Sequence, residues 1–175
     1  MGRLSLHVIE RGGRFAIRLK DRDAEARKRF TGLHWYEVDP KYRVEARWVP
    51  NEPPTTLQIP NILGQIEPMP SPGRAEFTLD GQPLHLDGVL EEPDAKEIFF
   101  IFRDQTSGKE TYGAGRFLYA ALPQAGKLTL DFNEAYNPPC AFTAYATCPL
   151  PPPQNRLPVP IPAGEKAYGH HGAGS

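Results

Sequence analysis

The chain has 175 residues, with 20 Lys and Arg against 21 Asp and Glu, so a formal net charge of −1 leaves no global field to attract a polyanion and excludes nucleic acid as the expected partner. A hydrophobic fraction of 39% and a charged fraction of 23% are those of a globular chain, one that buries roughly 70% of its unfolded surface in a single domain. The 20 Pro and 16 Gly demand many turns and argue against long helices.

Taken in order, Leu4, Leu6 and Val8 alternate with Ser5, His7 and Ile9, and Phe15, Ile17 and Leu19 alternate with Ala16, Arg18 and Lys20. That period predicts a β-hairpin with a Gly12-Gly13 turn. Asp21–Arg29 is charged, carries Ala at two positions, and predicts one short helix after an Asp cap. In Tyr42–Val49, Tyr42, Val44, Ala46 and Trp48 face one way and Arg43, Glu45 and Arg47 the other, the mark of a half-buried antiparallel strand. Further strands are expected at Thr55–Ile59 and Ile66–Met69, each bounded by proline. Arg74–Leu79 and Pro83–Leu90 flank the turn signal Asp80-Gly81-Gln82 and form a second hairpin. Glu97–Arg103 is nearly continuous apolar sequence, suited to a central strand covered on both faces, and Arg116–Ala121 pairs with Lys127–Phe132 across Pro123-Gln124-Ala125-Gly126.

From Pro138 onward prolines recur, and this tail is expected to run extended over the surface, anchored by Phe142, Tyr145, Leu150 and Leu157, with at most an edge strand near Leu157–Ile161. Residues 1–168 form the one expected domain and 169–175 a disordered tail. Eight to ten short strands define an all-β fold, a small closed or partly open antiparallel barrel, with a β-sandwich as the alternative. Apolar runs such as Ile98–Phe102 fall far short of the approximately 18 residues that span a bilayer. No signal peptide opens the chain, and Leu6 stands where a myristoylation motif requires Ser or Thr, so the expectation is a cytoplasmic protein without membrane contact. In that compartment Cys140 and Cys148 are expected as two thiols, with a loop-closing disulfide as the alternative.

Polar chemistry is densest between Phe102 and Tyr145. The run Phe102-Arg103-Asp104-x-Thr106-Ser107-Gly108-Lys109-Glu110-Thr111-Tyr112-Gly113-Ala114-Gly115-Arg116-Phe117 is followed by Asp131-Phe132-Asn133-x-Ala135-Tyr136-Asn137-Pro138-Pro139-Cys140-Ala141. With Gly32-Leu33-x-Trp35-Tyr36, Cys148-Pro149-Leu150-Pro151-Pro152, Asn155-Arg156-Leu157 and Ala163-Gly164-Glu165-Lys166, these segments resemble the bacterial and archaeal family called domain of unknown function 1684 over about residues 8–168. The resemblance carries no established activity. Its members have a longer amino-terminal segment than is seen here, which bears on the packing of Met1–Lys20 and on the completeness of any site.

Arg103 and Arg116 flank a Gly-rich loop, and a guanidinium fork suits carboxylate or phosphate; the alternative is that Arg103 pairs with Asp104 or Glu110 to satisfy a turn. Gly113 is followed by Ala-Gly-Arg and strand-like sequence, so the spacing of a nucleotide-binding loop is not met. Asp104 and Asp131 could act as an acid and base pair, or Asp131 could cap a turn towards Asn133. Asn133 and Asn137 offer amide dipoles for substrate, or tie down the Pro138-Pro139 turn, and Thr111, Tyr112 and Tyr136 complete the candidate ligand-binding set. Cys140 is the nucleophile by type but lacks a neighbouring histidine in sequence, and the Cys140–Cys148 spacing leaves a zinc site incomplete. No metal or cofactor is expected. Three readings stand open: a small hydrolase acting on a polar or anionic molecule, a non-catalytic domain recognising a small molecule or a peptide, and a polar plug that closes the fold. Oligomeric state is left open.

Overall fold

The structure is a computed structural model and describes residues 2–11 and 14–169. The chain divides into two compact units, 1–32 and 33–175. In the first, β1 (Leu4–Arg11) and β2 (Arg14–Asp21) pair antiparallel with Leu6 opposite Leu19 and Val8 opposite Ile17. The expected Gly12-Gly13 turn lies outside the described residues. The helix is shorter than expected: α1 covers Glu25–Lys28, and Ala24 rather than an aspartate stands at its N-cap. Asp21 instead receives Arg3, whose fork donates to both carboxylate oxygens and, with the Asp23 amide, holds that carboxyl at about 2.

The second unit is all-β and antiparallel. Its strands are β3 (Arg43–Pro60), β4 (Ile66–Leu79), β5 (Gln82–Gly88), β6 (Glu97–Phe102), β7 (Arg116–Ala121) and β8 (Lys127–Asp131). Two pairs of expected strands fuse. Thr55–Ile59 belongs to β3, with a register shift between Pro50 and Thr55 that takes up the donors lost at Pro50, Pro53 and Pro54. Ile66–Met69 belongs to β4, where Pro68, Pro70 and Pro72 alternate, so their missing donors all face the side away from β3. Prolines there mark an edge rather than an end.

Of the closed or partly open barrel expected, the closed form is not what the described strands make; they lie in open sheets. Sheet order is β5-β4-β3-β8 in one sheet and β6-β7 in another, and no ladder joins β7 to β8 among the described residues. Between β5 and β6 the ladder is replaced by a single bridge, Val89 with Phe99, and by the side chain of Asn155. The Asn155 oxygen accepts from the Asp87 amide at 2.8 Å, and its nitrogen donates to the carbonyls of Asp87 (2.9 Å) and Ile101 (3.0 Å). A side-chain amide has the donor and acceptor of a peptide group, so it stitches two strands whose backbones have separated.

β6 is covered on both faces, as its continuous apolar run requires. Ile98, Phe100 and Phe102 enter the main core with Ala46, Ala75, Leu86, Leu118 and Leu130, while Phe99 and Ile101 enter a second cluster with Ile59, Val89, Phe117 and Cys148. The proline-rich tail is not a surface wrap. Leu157, Val159, Ile161 and Ala163 are buried in the main core, whereas the expected anchor Tyr145 is 97% exposed. Period-two burial runs on through Asn155, Glu165 and Ala167, with Pro158 and Pro160 on the exposed side where a missing donor costs nothing. This stretch runs parallel to the chain after β6, with Arg103 N bonded to Asn155 O and Leu157 N to Arg103 O.

Candidate functional site

Phe102 and Arg116 are partners at the open end of the β6–β7 pair, which brings Asp104 and Arg116 together two residues beyond the ladder. The loop between them is tightened by Thr106, whose carbonyl accepts from the amides of Lys109, Glu110 and Thr111. Gly115 is required here: its φ is +109°, and a Cβ would sit 2.5 Å from Pro151 Cγ and 2.7 Å from the Phe102 carbonyl.

Arg116 is the largest fully buried side chain of the described residues, and it and Asp104 are ion-paired at 2.8 Å with both side chains 0% exposed. The guanidinium also donates to the carbonyls of Ile161 and Ala163 and lies 5.2 Å from the centre of the Phe102 ring. Asp104 Oδ1 accepts from the Thr106 amide (2.7 Å), the Thr106 hydroxyl (2.6 Å) and the Ile161 amide (3.3 Å). Thr111 completes the cluster through a 2.8 Å bond between its hydroxyl and that of Thr106. Arg116 therefore bolts the tail onto the end of the core. Two buried polar atoms of the described residues, Arg116 Nε and Asn137 Oδ1, have no hydrogen-bond partner.

The other sequence-derived candidates are placed apart from this cluster. Asp131 ends β8, where Arg43 donates to it at 2.8 Å and Asn133 donates through both its amide and its side chain. Burial pushes that carboxyl up, but the bonds from Asn133 and Arg43 outweigh it, and it sits below the usual carboxylate range. Asn133 also exchanges two bonds with the backbone of Asp39, which is the turn-capping role rather than a free amide dipole. Asn137 is clamped by the tail, its amide donating to Glu165 Oε2 and its side chain to the Lys166 carbonyl. Arg103 meets the tail through its backbone. Tyr136 stacks on Tyr119 and meets Phe117 edge-on, and burial raises its hydroxyl pKa. Tyr112 donates to the Cys140 carbonyl at 3.2 Å, and burial, with the Cys140 side chain beside it, pushes its hydroxyl up to about 12. Cys140 has Tyr112 and Cys148 as described neighbours in place of the histidine a cysteine nucleophile needs. His170 and His171 lie outside the described residues.

Asp131 lines an open cleft of about 390 Å³ on the outer face where β7 and β8 part, with Arg43, Glu45, Glu97, Tyr119, Lys127 and Glu134 around it. Asp104, wholly buried, does not line it. The two aspartates thus occupy different environments. Tyr119 marks the edge of this cleft, its hydroxyl bonded to Glu91 at 2.6 Å and its pKa raised by burial and by that carboxylate.

Two polar residues of structural weight, Asn155 and Glu165, were not among the sequence candidates. Both continue the alternation of Leu157, Val159 and Ile161, which is the signal that could have placed them inside. Glu165 is 3% exposed; burial raises its pKa against the opposing amide bond from Asn137. Around it the chain segments 34–36, 110 and 163–167 are knitted by Tyr36 N to Gly164 O, Lys166 N to His34 O and Ala167 N to Glu110 O. Tyr36 donates to Glu110 at 2.8 Å, and Lys166 Nζ stands 4.5 Å over the Tyr36 ring.

These motif-bearing segments are those of one family. The profile described as "Protein of unknown function (DUF1684)" matches residues 28–166, and the chain belongs to that family. No curated protein matches it. Among solved structures it is similar to the solution NMR structure of the uncharacterised protein from gene locus rrnAC0354 of Haloarcula marismortui, at 32% identity and a TM-score of 0.68, over 83% of this chain and 81% of that one. No described helix is long and apolar enough to cross a membrane.

Proposed function

We propose that this chain is a non-catalytic recognition domain for a small polar ligand, built on a partly open antiparallel barrel, with the Arg116–Asp104 cluster as an internal structural element. The observation that carries this reading is the complete burial of both members of that pair, with Arg116 turned to tail carbonyls rather than to solvent. A guanidinium already committed to a carboxylate and two carbonyls has little left to offer a ligand. Hydrolysis by a carboxylate pair requires an acid with a raised pKa facing a base across a substrate, whereas Asp131 is held ionised by Arg43 and Asn133 and Asp104 is sealed.

Recognition is assigned to the cleft beside Asp131, whose volume of about 390 Å³ falls within the ordinary range for small-molecule sites. Four carboxylates, Glu45, Glu97, Asp131 and Glu134, face two cations, Arg43 and Lys127. That balance favours a neutral or cationic polar molecule over an anionic one. The test is a two-dimensional NMR titration of the labelled protein with neutral sugars, amino acids and small amines, alongside a turnover screen with ester and glycoside substrates. Expected are shift changes confined to Tyr119, Lys127, Thr129 and Asp131, about tenfold weaker binding in Asp131→Asn, and no turnover. Turnover that disappears in Asp131→Asn, or perturbations centred on Arg116 and Thr111, would replace this reading with the enzymatic one.

A further inference from the structure

We propose that Cys140 and Cys148 are a redox-responsive dithiol that closes to an intramolecular disulfide when a peroxide reaches Cys140. Both cysteines are thiols in this structure, Cys140 half-buried and Cys148 3% exposed. They are already adjacent: the Cys140 backbone amide donates to Cys148 Sγ at 3.2 Å. With an N–Cα bond of about 1.46 Å, that sulfur lies at most about 4.7 Å from the Cys140 Cα, within the compass of a disulfide. A rotation about the Cα–Cβ bond of Cys140 is then the main movement required.

Local sequence accounts for this proximity. Pro138 and Pro139 set up a 3₁₀ turn over Pro139–Ala141, Tyr112 holds the Cys140 carbonyl from below, and Pro149 follows Cys148 as its carbonyl is taken by the Ile62 amide. The intervening loop carries the Tyr145 side chain into solvent. Both cysteines pack in the second apolar cluster, with Phe117 and Tyr136. Among the described residues no group of three or more His, Cys, Asp and Glu able to hold a metal occurs.

The order of events follows from exposure. The Cys140 thiolate attacks a peroxide oxygen, the O–O bond breaks, and Cys140 becomes a sulfenic acid as the first water leaves. Cys148 then attacks the Cys140 sulfur and the second water departs, so two thiols and one hydrogen peroxide yield one disulfide and two waters. A dithiol reductant reverses the change.

The full chain is treated with hydrogen peroxide, quenched and denatured, and its thiols are counted. Expected are a fall from two thiols to none, a mass loss of about two hydrogens, a fragment in which residue 140 is linked to residue 148, migration as a monomer without reductant, and full recovery with dithiothreitol. Cys148→Ser should retain the oxygen adduct on Cys140, and Cys140→Ser should keep its Cys148 thiol at the same dose. Two surviving thiols in the parent chain at a dose that oxidises Cys140 in Cys148→Ser, added oxygen instead of lost hydrogen, or an intermolecular dimer would overturn the assignment. Because these readouts are covalent and lie away from Asp131, their failure is separate from any failure of ligand binding at the cleft.

Discussion

Replacing Arg116 by methionine keeps most of the aliphatic stem over Phe102 but removes the cation that Asp104 and two carbonyls depend on. Leaving one member of a buried ion pair without the other costs about 3–5 kcal/mol. The carbonyl of Ala163 loses its donor and adds about 1 kcal/mol at the net value of a hydrogen bond, while that of Ile161 keeps the Ala163 amide. Against this, Asp104 keeps three donors, from the Thr106 amide, the Thr106 hydroxyl and the Ile161 amide, which holds the first figure at its lower end. The expected loss is therefore about 4 kcal/mol, a large part of the 5–15 kcal/mol that typically stabilises a domain. With a urea slope of about 2 kcal/mol/M, the unfolding midpoint falls by about 2 M. Adding Asp104→Leu should restore part of the loss, with an interaction energy of about 2 kcal/mol in the double-mutant cycle, since an apolar pair leaves no buried charge behind. A loss below about 1 kcal/mol, or strict additivity of the two changes, would refute the view that this pair closes the end of the fold.

Asn155→Ala removes three bonds that join β5 to β6 and should cost about 3 kcal/mol, with a matching rise in hydrogen exchange at the Asp87 amide; unchanged exchange there would show that the side chain is not the stitch. The raised pKa of Glu165 means the folded state holds its proton more tightly than the unfolded chain. Its contribution is complete below the ordinary value of 4.5 and is lost as pH rises through the folded value. Glu165→Gln should therefore flatten the decline of the urea midpoint above pH 4.5, and parallel profiles for the two proteins would contradict the shift.

Legibility followed the physics of each signal. The Tyr42–Val49 alternation and the continuous run at Ile98–Phe102 became the half-covered β3 and the doubly covered β6 because side-chain period and burial are local consequences of the strand backbone. Proline is not a terminator at Pro50 and Pro70, since whether a missing donor matters depends on which neighbour lies on that side. The candidate residues were legible as a group and illegible as an arrangement. Asp104, Thr111 and Arg116 meet in the interior, while Asp131 and Asn133 bond to each other at the end of β8, and nothing in their identities tells the two sets apart.

By itself the amino-acid order determined strand content, the positions of most turns, the family, and which residues carry polar chemistry, because each of these is written in spacing over a few neighbours. Only the tertiary structure decided that the strands lie in separate open sheets, that an asparagine and a proline-rich tail join them, and that Arg116 faces inward. Those outcomes depend on the cost of burying a charge or a backbone group, which is set by whatever segment of chain arrives on the other side.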